Sequence, residues 1–152
     1  MKVRPRTIAM GMLLLGSLLA SCSTDPTSPE FARTELSTAL KRWRSASLTN
    51  YTFRGVVACY CIVDYIMPMR VTVRQGRVTE VVDIATGGIR PTTFRPSVDS
   101  VFGLVLREIA ERPERLQVTY DPTLGFPRTL TYGTPENDGG GYISIDSVTA
   151  IP

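Results

Sequence analysis

The sequence predicts an α+β fold: a mostly antiparallel sheet of about six strands with two helices on one face, in the order α-βββ-αβββ. Three observations predict it. Two segments, near 29–47 and 97–112, carry apolar residues at helical spacing behind a capping serine. Short segments rich in β-branched residues alternate with a period of two. Turn residues separate those segments at short intervals, which favours hairpins over long crossover connections.

The first helix is expected from Pro29 to Ser47. Ser28 can accept from a free backbone N–H, Pro29 suits the first helical position, and Glu30 suits the positive end of the dipole. Ala32, Leu36, Ala39, Leu40, Trp43 and Ser47 share one face, and Trp43, the only tryptophan, is expected in the core.

Tyr51 to Cys61 reads as a strand with Tyr51, Phe53, Val57, Cys59 and Cys61 on one face. A hairpin follows, Met69 to Arg74 returning over Val78 to Ile84 around Gln75-Gly76. A two-residue turn would pair Val71 with Glu80 and bring Glu80 onto the apolar face. A bulge or a sheet margin is the favoured reading. The alternative is an inward carboxylate whose pKa burial would raise.

Ala85 to Pro96 reads as a loop. Ser97 then caps the clearest helix, with Asp99 in its first turn, Val98, Val101, Phe102, Val105, Leu106 and Ile109 on one face, and Pro113 as its stop. Three strands close the chain: Leu116 to Asp121, Pro127 to Tyr132, and Tyr142 to Ile151. Glu136-Asn137-Asp138 lacks the ligand spacing of a calcium loop and reads as a hairpin tip. The turn at Gly125 precedes no helix, so it reads as structural rather than as a phosphate cradle. Helices on one face would leave the other face of the sheet partly solvated and available to a partner.

The ends of the chain bound its setting. Lys2, Arg4 and Arg6 precede an apolar run of 13 residues, Ile8 to Ala20. A membrane span needs about 20 such residues, a secretory signal about 7–15. Leu19-Ala20-Ser21-Cys22 resembles the lipobox of bacterial lipoproteins, which implies cleavage before Cys22 and lipidation of that cysteine. The expected organisation is a signal peptide at 1–21, a lipidated tether at 22–30 and a single α+β domain at 31–152. The signal would take three of the 17 Lys+Arg, leaving as many basic side chains as the 14 acidic ones. A neutral domain offers no electrostatic case for nucleic acid.

There is no histidine in the sequence. This excludes His-dependent nucleophilic triads, His-containing zinc sites and His-based pH sensing within the chain. Carboxylate-only catalysis would need two acids in one cleft, Glu80 being one candidate. No catalytic motif is present, and neither enzymatic activity nor a cofactor is expected.

With Cys22 lipidated, Cys59 and Cys61 remain. Positions i and i+2 of a strand lie about 6.5–7 Å apart, near the limit for a disulfide. A structural clip or two buried thiols is the favoured reading. The alternatives are a strained, redox-active bridge and a soft-metal, copper-like site in which Met67 and Met69 join the two cysteines.

The element order and short motifs resemble a family of small bacterial lipoproteins of unassigned function. The matching residues are Trp43, Tyr51-Thr52-Phe53, Cys59-Tyr60-Cys61, Val71-Thr72-Val73 with Gly76 and Val78, Val98-Asp99-Ser100-Val101-Phe102, and Tyr120-Asp121-Pro122 with Gly125-Phe126-Pro127. The resemblance spans nearly the whole chain after Cys22 and carries over no catalytic residue. It implies a lipid-anchored bacterial cell-envelope protein, at the outer membrane facing the periplasm in a Gram-negative cell. Its expected partners are the membrane, through lipidated Cys22, and an envelope protein.

Overall fold

Two helices cover one face of a six-stranded antiparallel sheet in a computed structural model that describes residues 28–59, 67–93, 95–133 and 140–152. The expected signal peptide and most of the expected tether, with Cys22, lie outside the described residues, as do Cys61 and Glu136–Asp138, expected at a hairpin tip. The elements are α1 (Pro29–Ser45), β1 (Tyr51–Cys59), β2 (Met69–Arg74), β3 (Arg77–Asp83), α2 (Val98–Glu111), β4 (Arg115–Tyr120), β5 (Pro127–Gly133) and β6 (Gly141–Ala150). The order α-βββ-αβββ is the one the sequence predicts.

Capping sets the helix starts. The Ser28 hydroxyl accepts from Phe31 N at 3.1 Å, and the Ser97 hydroxyl accepts from Ser100 N at 3.2 Å. The first helix ends two residues before the predicted limit because Ser47 adopts a left-handed conformation, φ +50°. Arg112, φ +52°, ends the second, and Pro113 follows. Leu106 departs from its expected place on the apolar face and is exposed, while Glu108 is buried. The buried arc of α2 runs through Val98, Val101, Val105 and Glu108, and Leu106 lies to one side of it.

The strand order is β3-β2-β1-β6-β5-β4. Two local meanders, β1-β2-β3 and β4-β5-β6, join where the first strand meets the last. This β1–β6 seam aligns Tyr51 with Ala150 and Cys59 with Gly141. Gly55 sits in the seam because a Cβ there would run into the Ser144 carbonyl.

Three bulges correct the side-chain alternation. Each register shift leaves one extra residue: Thr79 in β3, Arg128 in β5 and Asp146 in β6. A bulge reverses the face that later residues address. Thr79 is the one that matters for Glu80. It pairs Glu80 with Thr72 and Val81 with Val71, so Glu80 is exposed and Val81 is fully buried. The inward-carboxylate alternative for Glu80 is thereby corrected.

The core lies between the helices and the inner face: Leu36, Ala39 and Trp43 of α1, the α2 arc, and Tyr51, Phe53, Met69, Val71, Val73, Leu130, Ile143 and Ile145 from the sheet. The β4–β5 turn clasps this layer. Asp121 Oδ1 accepts from Thr123 N and Leu124 N, at 2.9 and 2.7 Å, and Gly125 at φ +82° lies against the Ala39 carbonyl. A Cβ at Gly125 would collide with that carbonyl and with Arg42. Gly125→Ala is therefore expected to cost about 2–4 kcal/mol. Gly76→Ala, at similar φ but in open space, is expected to cost only about 1–2 kcal/mol. Urea unfolding of both variants measures the difference; equal losses would mean that the turn's packing on α1 contributes nothing.

Candidate functional site

Four polar constellations stand out among the described residues, and three of them are absorbed by the fold. The first joins both helices to β1. Tyr51 is fully buried, and its hydroxyl accepts from Val98 N at 3.1 Å. Trp43 meets the Tyr51 ring edge-on at 5.3 Å and donates from Nε1 to Asp99 Oδ1 at 3.0 Å. Burial pushes the Tyr51 hydroxyl up to about 12, with nearby Asp99 acting in the same direction and the Val98 N–H opposing. This tyrosine stays neutral at any ordinary pH and anchors the start of α2.

The second is the turn after β3. Asp83 is 2% exposed, and its carboxylate accepts from Arg90 Nη2 at 2.9 Å, Ala85 N at 2.8 Å and Thr86 N at 3.1 Å. The Arg90 guanidinium, then the Thr86 N–H, hold its pKa below the ordinary 3.8 against the opposing effect of burial. The turn brings Ile89 beside Val82 as a short bridge on the edge of β3, where the sequence predicted only a loop.

The third is Glu108 on α2. Arg107 Nη2 lies 3.0 Å from its carboxylate, and Arg107 Nε lies 3.6 Å from that of Glu111. One guanidinium thus serves both acids. Burial, then Glu108, raises the pKa of the nearby Tyr132 hydroxyl.

A cleft beneath Gly55, lined by Phe53, Met69, Val101 and Arg95 among others, encloses about 10 Å³, room for roughly one water. Small-molecule pockets measure about 300–1,000 Å³.

The fourth constellation is the outer face of the sheet, opposite the helices. Its register sets hydroxyls in lanes across the strands: Thr149, Thr52 and Thr72 with Glu80, and Thr119, Thr129 and Ser144 with Val56. Thr72 donates to Glu80 at 3.3 Å, and the Thr119 and Thr129 hydroxyls lie 2.6 Å apart. Between the lanes a third row runs Ser147, Arg54, Arg70, Val82 and Ile89. Arg54 and Arg70 are both exposed and directly opposite each other. Arg74, on the same face, instead donates to the Pro152 carbonyl at 2.9 Å.

The predicted site residues fare differently. Cys59 is the last residue of β1, and Cys61 and Cys22 lie outside the described residues. Met67 is half-buried against the core. Met69 is 1% exposed and pairs with Gly55, four residues before Cys59, which separates the two by about 13 Å of strand. No cluster of three metal-ligating His, Cys, Asp or Glu residues occurs among the described residues. Sequence reasoning missed the Arg54–Arg70 row. Its signal was an arginine at one outward position in each of two neighbouring strands, invisible until the register was known.

The fold and its polar outer face define a class: an α+β domain whose helices seal one face of an antiparallel sheet and leave the other open. The chain belongs to the family of unknown function DUF6174, whose model matches residues 35–146, from within α1 to the bulge of β6. No curated protein and no solved structure matches it.

Asp83 carries a pH prediction. Because its folded pKa is depressed, its contribution is fully present above the unfolded value near 3.8 and is lost as pH falls through the folded one. Asp83→Asn should be less stable than the wild type at pH 7, and the two should converge in acid. Urea unfolding between about pH 7 and 2 checks this. Parallel curves would mean that the turn draws no stability from the ionised carboxylate.

Proposed function

We propose that this chain is a lipid-anchored protein of the bacterial cell envelope, facing the periplasm in a Gram-negative cell, whose domain binds an envelope component without catalysing a reaction. The observation that carries the reading is Leu19-Ala20-Ser21-Cys22 at the end of a short apolar run behind a basic start. The binding half is supported by the outer sheet face, where Arg54 and Arg70 are exposed and directly opposed.

A second reading is a thiol-redox or soft-metal protein using Cys59 and Cys61. It is favoured by the placement of Cys59 at the end of β1, with half-buried Met67 just before β2 begins. It would involve Met67 more readily than Met69, which the core already occupies.

Expressed in bacteria, the full chain should incorporate labelled fatty acid and sediment with membranes. Cys22→Ser should abolish both; an unlabelled wild-type chain would end the anchoring half. A photo-crosslinker at Thr52 should capture a partner that one at Thr38 on α1 does not, and equal capture from both would remove the sheet face as the binding surface.

The cysteines are tested separately. Intact mass before and after reduction and alkylation tells a bridge, free thiols and bound metal apart. Unchanged metal content and thiol reactivity in Cys59→Ser/Cys61→Ser would dispose of the second reading.

A further inference from the structure

We infer that Arg54 and Arg70 form a phosphoryl-binding pair on the outer face of the sheet, taking a phosphate group either free or as a lipid headgroup. The inference deepens the binding reading above by naming what the sheet face takes, and it rests on that reading's choice of face.

The first warrant is register. Arg54 in β1 and Arg70 in β2 are directly opposed, with no bulge between Gly55 and Tyr51 on this side of β1. Opposed residues on one face have Cβ atoms about 4.5–5.5 Å apart. Two planar guanidiniums on such stems can converge on one tetrahedral oxyanion, each giving paired N–H donors.

The second warrant is cost. Like charges directly opposite one another in a sheet destabilise it. Arg74 and Arg77 are likewise opposed, beside the β2–β3 turn, and there Arg74 is engaged by the Pro152 carbonyl. Among the described residues, Arg90 pairs with Asp83, and Arg107 with Glu108 and Glu111. Arg54 and Arg70 have no ion pair or side-chain hydrogen bond among the described residues. Glu80 lies one row away and pairs with Thr72, while Asp146 at the β6 bulge makes no ion pair with either arginine. A dianion between the guanidiniums converts repulsion into two charge-assisted contacts.

The third warrant is the row itself. Ser147 flanks Arg54 with a hydroxyl, which can add a donor to a phosphate oxygen. On the far side Arg70 adjoins buried Val82 and then Ile89, which is 78% exposed. A phosphate-binding spot with an apolar margin accommodates a free phosphate and equally a headgroup whose glycerol lies against Ile89.

The test uses the full chain in neutral, phosphate-free detergent, with ¹⁵N-labelled arginine side chains observed by NMR. Inorganic phosphate is titrated against chloride at matched ionic strength, and bicelles containing phosphatidylglycerol against neutral ones. Expected are saturable shifts of the Arg54 and Arg70 Nε–H signals and a thermal midpoint raised by phosphate but not by chloride. Arg54→Gln and Arg70→Gln should each weaken phosphate binding about tenfold or more. Without phosphate they should melt no lower than wild type, because the repulsion is relieved. Arg54→Lys, which keeps the charge and loses the fork, should also bind more weakly. Arg74→Gln should bind as wild type does.

Saturation by phosphate alone assigns a free phosphate, and saturation only with anionic bicelles assigns the headgroup. No saturable shift with either probe, or equal weakening by Arg74→Gln, overturns the pair in favour of diffuse surface charge. Failure here with crosslinking from Thr52 intact would leave the sheet face as a binding surface. Phosphate binding without any crosslinked partner would leave the pair and remove the proposed partner.

Discussion

The junction of Tyr51, Trp43, Asp99 and Val98 is the contact on which the rest of the molecule depends. Tyr51 opens β1 and, through its hydroxyl, satisfies Val98 N, one of the backbone N–H groups that a helix start cannot satisfy internally. Trp43 packs edge-on against the same ring and reaches Asp99 in the same helical turn. The neighbouring α1 and β1 are thereby joined to α2, distant in sequence, through one buried tyrosine. An unpaired N–H in this dry position would cost about 1–3 kcal/mol, so burial of the aromatic cluster and pairing of the helix start depend on each other. The junction also accounts for three of the family-like motifs, since Trp43, Tyr51 and Val98-Asp99 are its parts.

With the helices fixed on one side, the β1–β6 seam and the three bulges decide what the other side displays. Extra residues at Thr79, Arg128 and Asp146 let inward positions stay apolar beyond points where strict alternation would bury a polar group. Glu80 is the clearest case, and its partner Thr72 shows where the displaced carboxylate goes. The result is a face of threonine, serine and arginine rows, with Arg54 and Arg70 facing each other across the strands. The interior polar groups are already engaged by the fold: Asp83 by its own turn, Glu108 by Arg107, and Tyr51 by α2.

The Tyr120-Asp121-Pro122 turn with Gly125-Phe126-Pro127 shows how a motif can signal family without signalling chemistry. Asp121 organises two backbone N–H groups, and Gly125 provides both the positive φ and the missing Cβ that let the turn lie on α1. These residues build the domain and lie within the stretch 35–146 that the DUF6174 model matches, as do Cys59 and Cys61.

Much of the architecture was legible in the sequence because the relevant physics is local. Serine caps, Pro29, the α2 apolar arc and the strand alternation are short-range signals, and they were enough for the α+β class and the element order. What only the tertiary structure decided were relations between distant residues. The meeting of β1 with β6, the bulge that turns Glu80 outward, the burial of Glu108 in place of Leu106, and the opposition of Arg54 to Arg70 all depend on register and on how elements dock. A one-residue slip in register changes the face of every later side chain, and single-sequence periodicity carries no information about which strand lies alongside.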